Sequence, residues 1–365
     1  FIVIFTNIVY FSMLNFTILV NHELYMHRCL QLASLGAGNV APNPMVGAVL
    51  VYDHVIIGEG YHRNYGFDHA EVECLKNVPD HNRHLISKST LYVSLEPCNH
   101  FGKTPPCSDL IIRHSIPRVV IACKDPFEKV NGSGIEKLQS NGIDVITCIL
   151  EKEAQELNKR FFTFHQKKRP YIILKWAQSK DHKIAAEDQY RFKISNEISD
   201  RLVHKWRSEE ASIMVGTNTA LTDNPSLTTR LWKGNNPVRI VIDKFLKIPV
   251  ANKLLDKTVQ TIIINTIRND VDGNNVFYKI PDNENMIPDI MNMLYQRNII
   301  SLFVEGGTHL LGSFIDTGLW DEMRVITNKE LNIGNGKAAP FPGNDKPHLQ
   351  VQYLSDEISY YKHSI

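Results

Sequence analysis

His69, Glu71, Cys98 and Cys107 are the residues of this sequence whose types and spacing could do chemistry together. An imidazole and two thiolates suit a tetrahedral zinc, and three protein ligands leave the fourth position open to water. Zinc lowers the pKa of such a water to about 7, so a nucleophile is available at neutral pH. Glu71 stands two residues after His69. A carboxylate there can take the water's proton and pass it to a departing amine without itself binding the metal. Read singly, His69 is a helix-cap residue and the cysteines are core thiols. Three donor groups, the glutamate offset and Pro97 before Cys98 agree on the zinc reading instead.

His-x-Glu followed by Pro-Cys and a second Cys is the signature of zinc deaminases of amino-substituted heterocycles. The cysteine gap departs from the generic form. Nucleoside and tRNA deaminases place two residues between the cysteines, whereas here Asn99 to Pro106 intervene. The insert carries His100 and Lys103 towards an anionic substrate, or it is a solvent-facing loop stiffened by Pro105 and Pro106. His69 and Cys98 are both expected at helix starts, where helix dipoles favour thiolates.

These residues need a frame. Tyr25 to Leu35 reads as a helix closed by the turn from Gly36 to Asn39. Pro42-Asn43-Pro44 forces an extended entry into the apolar run from Val46 to Val51, a buried strand with Val55 to Gly60 as its hairpin partner. Strands are expected at 90–95, 119–122 and 144–150, and helices at 69–75, 108–114 and 135–140. In the second half, strands are expected at 171–176, 212–216, 238–243, 261–265, 301–305 and 322–327. Helices are expected at 196–209 and 287–297. Alternating strands and helices predict an α/β chain built as two three-layer domains. The expected boundaries are a zinc deaminase domain over 21–150, a charged linker over 151–169 and a second domain over 170–365.

Composition agrees with a globular enzyme. At 365 residues, 43% hydrophobic and 22% charged, the chain has the length for two cores. Forty basic side chains against 39 acidic ones give no overall field for nucleic acid or an anionic membrane. All six cysteines precede residue 151, a distribution unlike a secreted disulfide scaffold, and a reducing cytoplasm is expected. Residues 1–20, fifteen of them apolar, are read as an extension outside the folded enzyme, with Met13 or Met26 as starts. Their length also suits a membrane span or signal core, so no membrane association is expected unless that segment inserts.

The second half offers weaker motifs. It has no G-x-G-x-x-G after its first strand, which argues against a Rossmann nucleotide site. Glu305-Gly306-Gly307-Thr308 follows a strand and opens a helix, where backbone N–H groups can approach a phosphate; a tight structural turn is the plainer alternative.

Glu96-Pro97-Cys98, the eight-residue gap and Gly102-Lys103-Thr104-Pro105-Pro106-Cys107 resemble the bifunctional riboflavin-biosynthesis deaminase/reductase family. Pro42-Asn43-Pro44-Met45-Val46-Gly47 and Gly58-Glu59-Gly60-Tyr61-His62 resemble two further motifs of that family. The resemblance implies a cytidine-deaminase-like first domain and a dihydrofolate-reductase-like second one. It implies Zn2+ and NADPH as cofactors, a phosphoribosylated pyrimidine as substrate, no nucleic-acid partner and a homo-oligomer. By the same resemblance, His69, Cys98 and Cys107 bind zinc, Glu71 is catalytic, and Asn43 and His62 line the pyrimidine pocket. Ala177, Thr219, Asp223 and the run Gly307, Thr308, His309, Leu310, Leu311, Gly312 and Ser313 contact the cofactor. Leu227, Arg230 and Glu305 contact substrate, with Arg230 suited to its phosphate and Asp223 or Glu305 as candidate proton donors.

Two departures qualify this. Lys180-Asp181-His182 stands where the family has Leu-Asp-Gly, and Lys193 where many members have Trp. A His at a habitual Gly predicts an altered turn, and a deaminase with a degenerate reductase domain is one alternative. Others are a nucleoside or tRNA deaminase, or a non-catalytic zinc module closed by a fourth ligand such as His100.

Overall fold

The computed structural model describes residues 22–99, 105–128, 130–187, 193–283, 286–343 and 346–363. The apolar segment 1–20, His100 and Lys103 lie outside the described residues. The chain forms two compact units, Phe1–Lys167 and Lys168–Ile365.

In the first unit, a helix over 22–34 (α1) precedes the hairpin β1 (Gly47–Tyr52) and β2 (Val55–Tyr61). Then come α2 (Ala70–Lys76), β3 (Thr90–Val93), α3 (Cys107–Arg113), β4 (Arg118–Ile121), α4 (Ser133–Ser140) and β5 (Asp144–Ile146). The strands form one sheet in the order β2-β1-β3-β4-β5. β1 is antiparallel to both neighbours, and β3, β4 and β5 are mutually parallel. Because side chains alternate along a strand, Leu50, Leu91 and Val119 face one core with Ala70, Ile111 and Leu138 from α2, α3 and α4. Val49, Tyr92 and Val120 face the other, against Met26 and Cys29 of α1. The sheet is covered on both sides, as the three-layer expectation requires.

Residues 151–167 are not a linker. They fold as α5 (Glu151–Leu157) and α6 (Lys159–Lys167), within the first unit. Ala154, Phe161 and Phe162 join the core beside α1. Asn158, between the helices, accepts from the Met45 N–H at 2.8 Å and donates to the Met45 carbonyl at 2.9 Å. The charges of α5 are mostly exposed and the phenylalanines of α6 turn inward; the two units divide within Lys167-Lys168-Arg169, where Arg169 pairs with Asp321.

The second unit is built on a ten-stranded sheet. Seven parallel strands form its centre: β12 (Asn275–Lys279), β10 (Thr261–Asn265), β9 (Val238–Ile242), β8 (Ser212–Gly216), β13 (Ser301–Glu305), β6 (Tyr171–Ser179) and β14 (Glu322–Asn328). Antiparallel β11 (Asp270–Asp272) closes one edge, and β17 (Asp356–Lys362) and β16 (Leu349–Tyr353) the other. Helices α9 (Met286–Gln296) and α10 (Thr308–Asp316) pack on one face, and α7 (Glu197–Glu209) and α8 (Thr217–Asp223) on the other. A separate ribbon pairs β7 (Lys183–Ala186) with β15 (Gly336–Ala338).

The Lys180-Asp181-His182 turn keeps the shape a glycine would allow. His182 adopts φ 56, the left-handed region that glycine occupies without strain. Asp181 accepts from the Ser179 hydroxyl at 2.6 Å and from the N–H groups of Ile333 and Gly334 at 3.1 and 2.8 Å. The His182 carbonyl accepts from Ala339 N–H at 2.9 Å. These bonds hold the turn with His182 in that left-handed conformation.

Candidate active sites

The first site gathers at one end of the small sheet. His69 is the extended residue capping α2, and Cys107 opens α3. Cys98 lies in the loop after β3, not at a helix start; its sulfur accepts from the Cys107 backbone N–H at 3.3 Å. The helix terminus therefore reaches Cys98 through its neighbour's amide. His69 Nδ1 is 3.6 Å from Cys98 Sγ and 3.3 Å from Cys107 Sγ, and all three ligand atoms lie within 4.8 Å of one another. Hydrogen bonds from the Cys107 thiol and His69 hold the Cys98 thiol down to about 4, while the bond to Cys98 raises His69 to about 9. An ionised sulfur, a second sulfur and an imidazole converging on one point fit a zinc ion. Among the described residues, the cluster has three donors and no fourth ligand.

Glu71, on the first turn of α2, is 3% exposed beside these donors. Burial raises its pKa, and the His69 charge opposes that rise. A carboxyl so placed is suited to holding and releasing a proton.

Asn43 and His62 meet beside the metal ligands. The His62 ring stands edge-on to His69 with centroids 5.6 Å apart. His62 Nδ1 lies 2.9 Å from the Asp68 carbonyl, which can only accept, so that nitrogen carries the proton. Nε2 is left to accept from the Asn43 amide nitrogen at 3.1 Å. Burial lowers the pKa of His62, keeping this neutral tautomer. The arrangement orients the Asn43 amide.

Glu96 is a determinant that sequence reasoning left within a motif. It is buried, and its carboxylate accepts from the N–H groups of Asp125 at 3.2 Å, Gly132 at 2.9 Å, Gly134 at 2.9 Å and Ile135 at 3.4 Å. It thus ties the Cys98 loop to the start of α4. A Cβ at Gly134 would come 2.1 Å from the Pro97 carbonyl oxygen, so this close approach requires glycine.

The second site is a cleft of about 1500 Å³ in the second unit. Ala177, Thr219, Asp223, Leu227, Arg230, Glu305 and Gly307 all line it, as does Lys193, which pairs with Asp200 at 2.8 Å. The rest of the glycine-led run forms α10 instead. Thr308 donates to the Ala338 carbonyl at 2.6 Å, and the His309 carbonyl accepts from the Ser313 hydroxyl at 3.0 Å. Leu310 packs on the core and a Cβ at Gly312 would meet nothing. Leu311 is fully buried in the core, so its side chain cannot contribute to the cleft.

Arg207, Lys175 and His204 were missed by the sequence reading and line the same cleft. Arg207 grips Glu305 through two hydrogen bonds of 2.6 and 2.9 Å, and Lys175 stands 3.5 Å from the same carboxylate. Burial alone would raise Glu305, but the charges of Arg207 and Lys175 outweigh it and hold the carboxyl down to about 2. Glu305 is therefore ionised at neutral pH and unsuited to donating a proton, contrary to one expectation. Lys175 had a signal: it is a lone cation inside an apolar strand. Arg207 had none.

Among the described residues, no helix is long and apolar enough to cross a membrane. A family model described as the cytidine and deoxycytidylate deaminase zinc-binding region matches residues 19–123, and the RibD C-terminal domain matches residues 170–354. The riboflavin biosynthesis protein RibD of Aquifex aeolicus is 40% identical over 322 residues, covering 85% of this chain and 89% of that protein. The protein of the same name from Bacillus amyloliquefaciens is 38% identical over 349 residues, covering 91% and 93%. The structure of a diaminohydroxyphosphoribosylaminopyrimidine deaminase/5-amino-6-(5-phosphoribosylamino)uracil reductase from Thermotoga maritima is similar at a TM-score of 0.85. It is 33% identical and covers 94% of this chain and 99% of that one. The chain thus belongs to the RibD family of riboflavin biosynthesis, a zinc-binding deaminase domain fused to a reductase domain.

Proposed function

We propose that the chain catalyses two successive reactions: hydrolytic deamination of 2,5-diamino-6-(5-phosphoribosylamino)pyrimidin-4(3H)-one, then reduction of the product's ribosyl group to ribityl by NADPH. The observation that carries the reading is the convergence of His69, Cys98 and Cys107 beside the buried Glu71.

Bound zinc supplies a water acidified to near neutral pH. Asn43 receives the pyrimidine edge, its amide oriented by neutral His62, which lines the pocket with both ring nitrogens already bonded. Glu71 takes a proton from the attacking water, whose oxygen bonds to the amine-bearing ring carbon, and delivers it to the exocyclic amine; that exocyclic C–N bond breaks, ammonia leaves and a carbonyl forms.

In the second cleft, Arg230 receives the substrate phosphate through its planar fork. Thr219, Gly307 and Ala177, which line the cleft, would hold the dinucleotide. NADPH, when bound, would supply the hydride that reduces the sugar carbon of the ring-opened imine, with a proton going to the nitrogen. Glu305, fixed by Arg207 and Lys175, presents an anion to the sugar hydroxyls. Asp223 remains the candidate proton donor. The well-bonded turn at His182 supports an intact reductase over the degenerate alternative.

The test is purified protein given the diaminopyrimidine phosphate first without and then with NADPH. Ammonia release without NADPH, followed by NADPH oxidation only after deamination, is expected. Ammonia release with no NADPH oxidation would remove the second reaction.

A further inference from the structure

His204 sits on α7, one turn before Arg207, with its side chain in the second cleft. The residue is 6% exposed. Its Nδ1 lies 2.9 Å from the backbone nitrogen of Arg230, a residue of the loop beyond α8. A backbone N–H can only donate, so Nδ1 is the acceptor and the ring proton sits on Nε2. From α7, Arg207 and Asp200 act electrostatically on this ring; Arg230 does so from the loop and Glu305 from β13. Burial and then the two arginines lower its pKa to about 4, so the acceptor form persists at neutral pH.

The two arginines have different occupations. Arg207 is committed to Glu305 through two of its nitrogens. Among the described residues, Arg230 has no ion pair with an acidic side chain. A cation available for a substrate phosphate is useful only if its backbone is fixed, because a long side chain on a wandering loop spends its binding free energy on ordering. Two bonds hold the neighbouring loop residue: Thr229 N–H donates to Asn236 Oδ1 at 2.8 Å, and its hydroxyl donates to the Asn235 carbonyl at 3.1 Å. Both stay within the loop. Arg207 Nη1 also donates to the Thr228 carbonyl at 3.5 Å, but among the described residues the bond to His204 is the one that ties Arg230 itself to a helix.

We propose that His204 is a positioning residue of the reductase: its Nδ1 anchors the Arg230 backbone so that the guanidinium is preorganised for the substrate's phosphate. This rests on the reading that Arg230 binds that phosphate. The anchoring selects for a phosphorylated substrate through binding, not through the hydride step.

The test uses the full chain and compares His204→Ala, His204→Asn and Arg230→Ala. The substrates are 5-amino-6-(5-phosphoribosylamino)uracil and its dephosphorylated riboside. Loss of the anchoring hydrogen bond in His204→Ala is expected to raise KM for the phosphorylated substrate about tenfold. Its kcat should stay within about twofold, and KM for the riboside should not change. His204→Asn, whose side-chain oxygen can replace Nδ1 as acceptor, should recover most of the loss. NADPH affinity by fluorescence titration should match the unaltered protein in both variants, which separates anchoring from misfolding. If Arg230→Ala raises KM for the phosphorylated substrate but His204→Ala does not, or if His204→Ala raises both KM values equally, the anchoring role is overturned. If Arg230→Ala itself leaves that KM unchanged, the phosphate reading fails and the anchoring falls with it.

Discussion

Arg207 and Glu305, 98 residues apart in the chain, form a two-bond ion pair that is 12% exposed on each side chain. The pair joins the last turn of α7 to the end of β13 at the floor of the reductase cleft. Removing the cation would leave a buried carboxylate with Lys175 as its one remaining charge partner among the described residues. Arg207→Ala should therefore destabilise the second unit by about 3 kcal/mol. All four tryptophans lie in that unit, so their fluorescence during urea unfolding isolates it. A change under about 1 kcal/mol would contradict the pairing's weight.

The same pair sets an acid limit. Glu305 has a folded pKa of about 2 against an ordinary 4.5, a depressed value. Its contribution to stability is thus fully present above pH 4.5 and is lost as pH falls towards 2. That contribution is on the order of 3 kcal/mol. Glu305→Gln should lessen the loss of second-unit stability between those two pH values. An identical acid profile in the variant would exclude Glu305 as its source.

Glu96 should matter to the metal although it is no ligand. Its carboxylate satisfies four backbone N–H groups and holds the loop carrying Cys98. Glu96→Ala should weaken zinc binding by about 10- to 100-fold, the range for residues that orient ligands. Competition with a chromophoric chelator measures it. Undiminished affinity would mean that the loop holds its shape without the carboxylate.

The turn at His182 gives a test of backbone strain. A non-glycine residue at φ 56 costs about 1 kcal/mol, and the Gln178–His182 contact at 3.0 Å offsets a similar amount. His182→Gly should change second-unit stability by less than about 1 kcal/mol, whereas His182→Val should lower it by about 1–2 kcal/mol. Equal effects of Gly and Val would argue against a left-handed turn.

The legible parts of the fold were those set by local pattern. The buried parallel strands Ser212–Gly216, Thr261–Asn265 and Ser301–Glu305 match their apolar runs residue for residue. β7 and β15 are only four and three residues long and mostly partly exposed, and the β16–β17 hairpin mixes polar with apolar side chains, so none offered a long apolar run to read. The charges of α5 hid the inward phenylalanines of α6, which is why 151–169 looked like a linker. At the metal site, residue types and spacing were enough, because zinc chemistry restricts the donors. The Arg207–Glu305 pair, the His204–Arg230 bond and the four amides on Glu96 depend on segments brought together from afar. No local spacing announces such contacts.

Deamination depends most on Glu71 moving protons beside the His69–Cys98–Cys107 centre. The direct measurement is ammonia release from the diaminopyrimidine phosphate by Glu71→Gln, with zinc content determined on the same preparation. The expected result is a rate reduced by about 10²- to 10⁴-fold with zinc still bound at one ion per chain. A zinc-loaded Glu71→Gln protein that releases ammonia at the unaltered rate would contradict it.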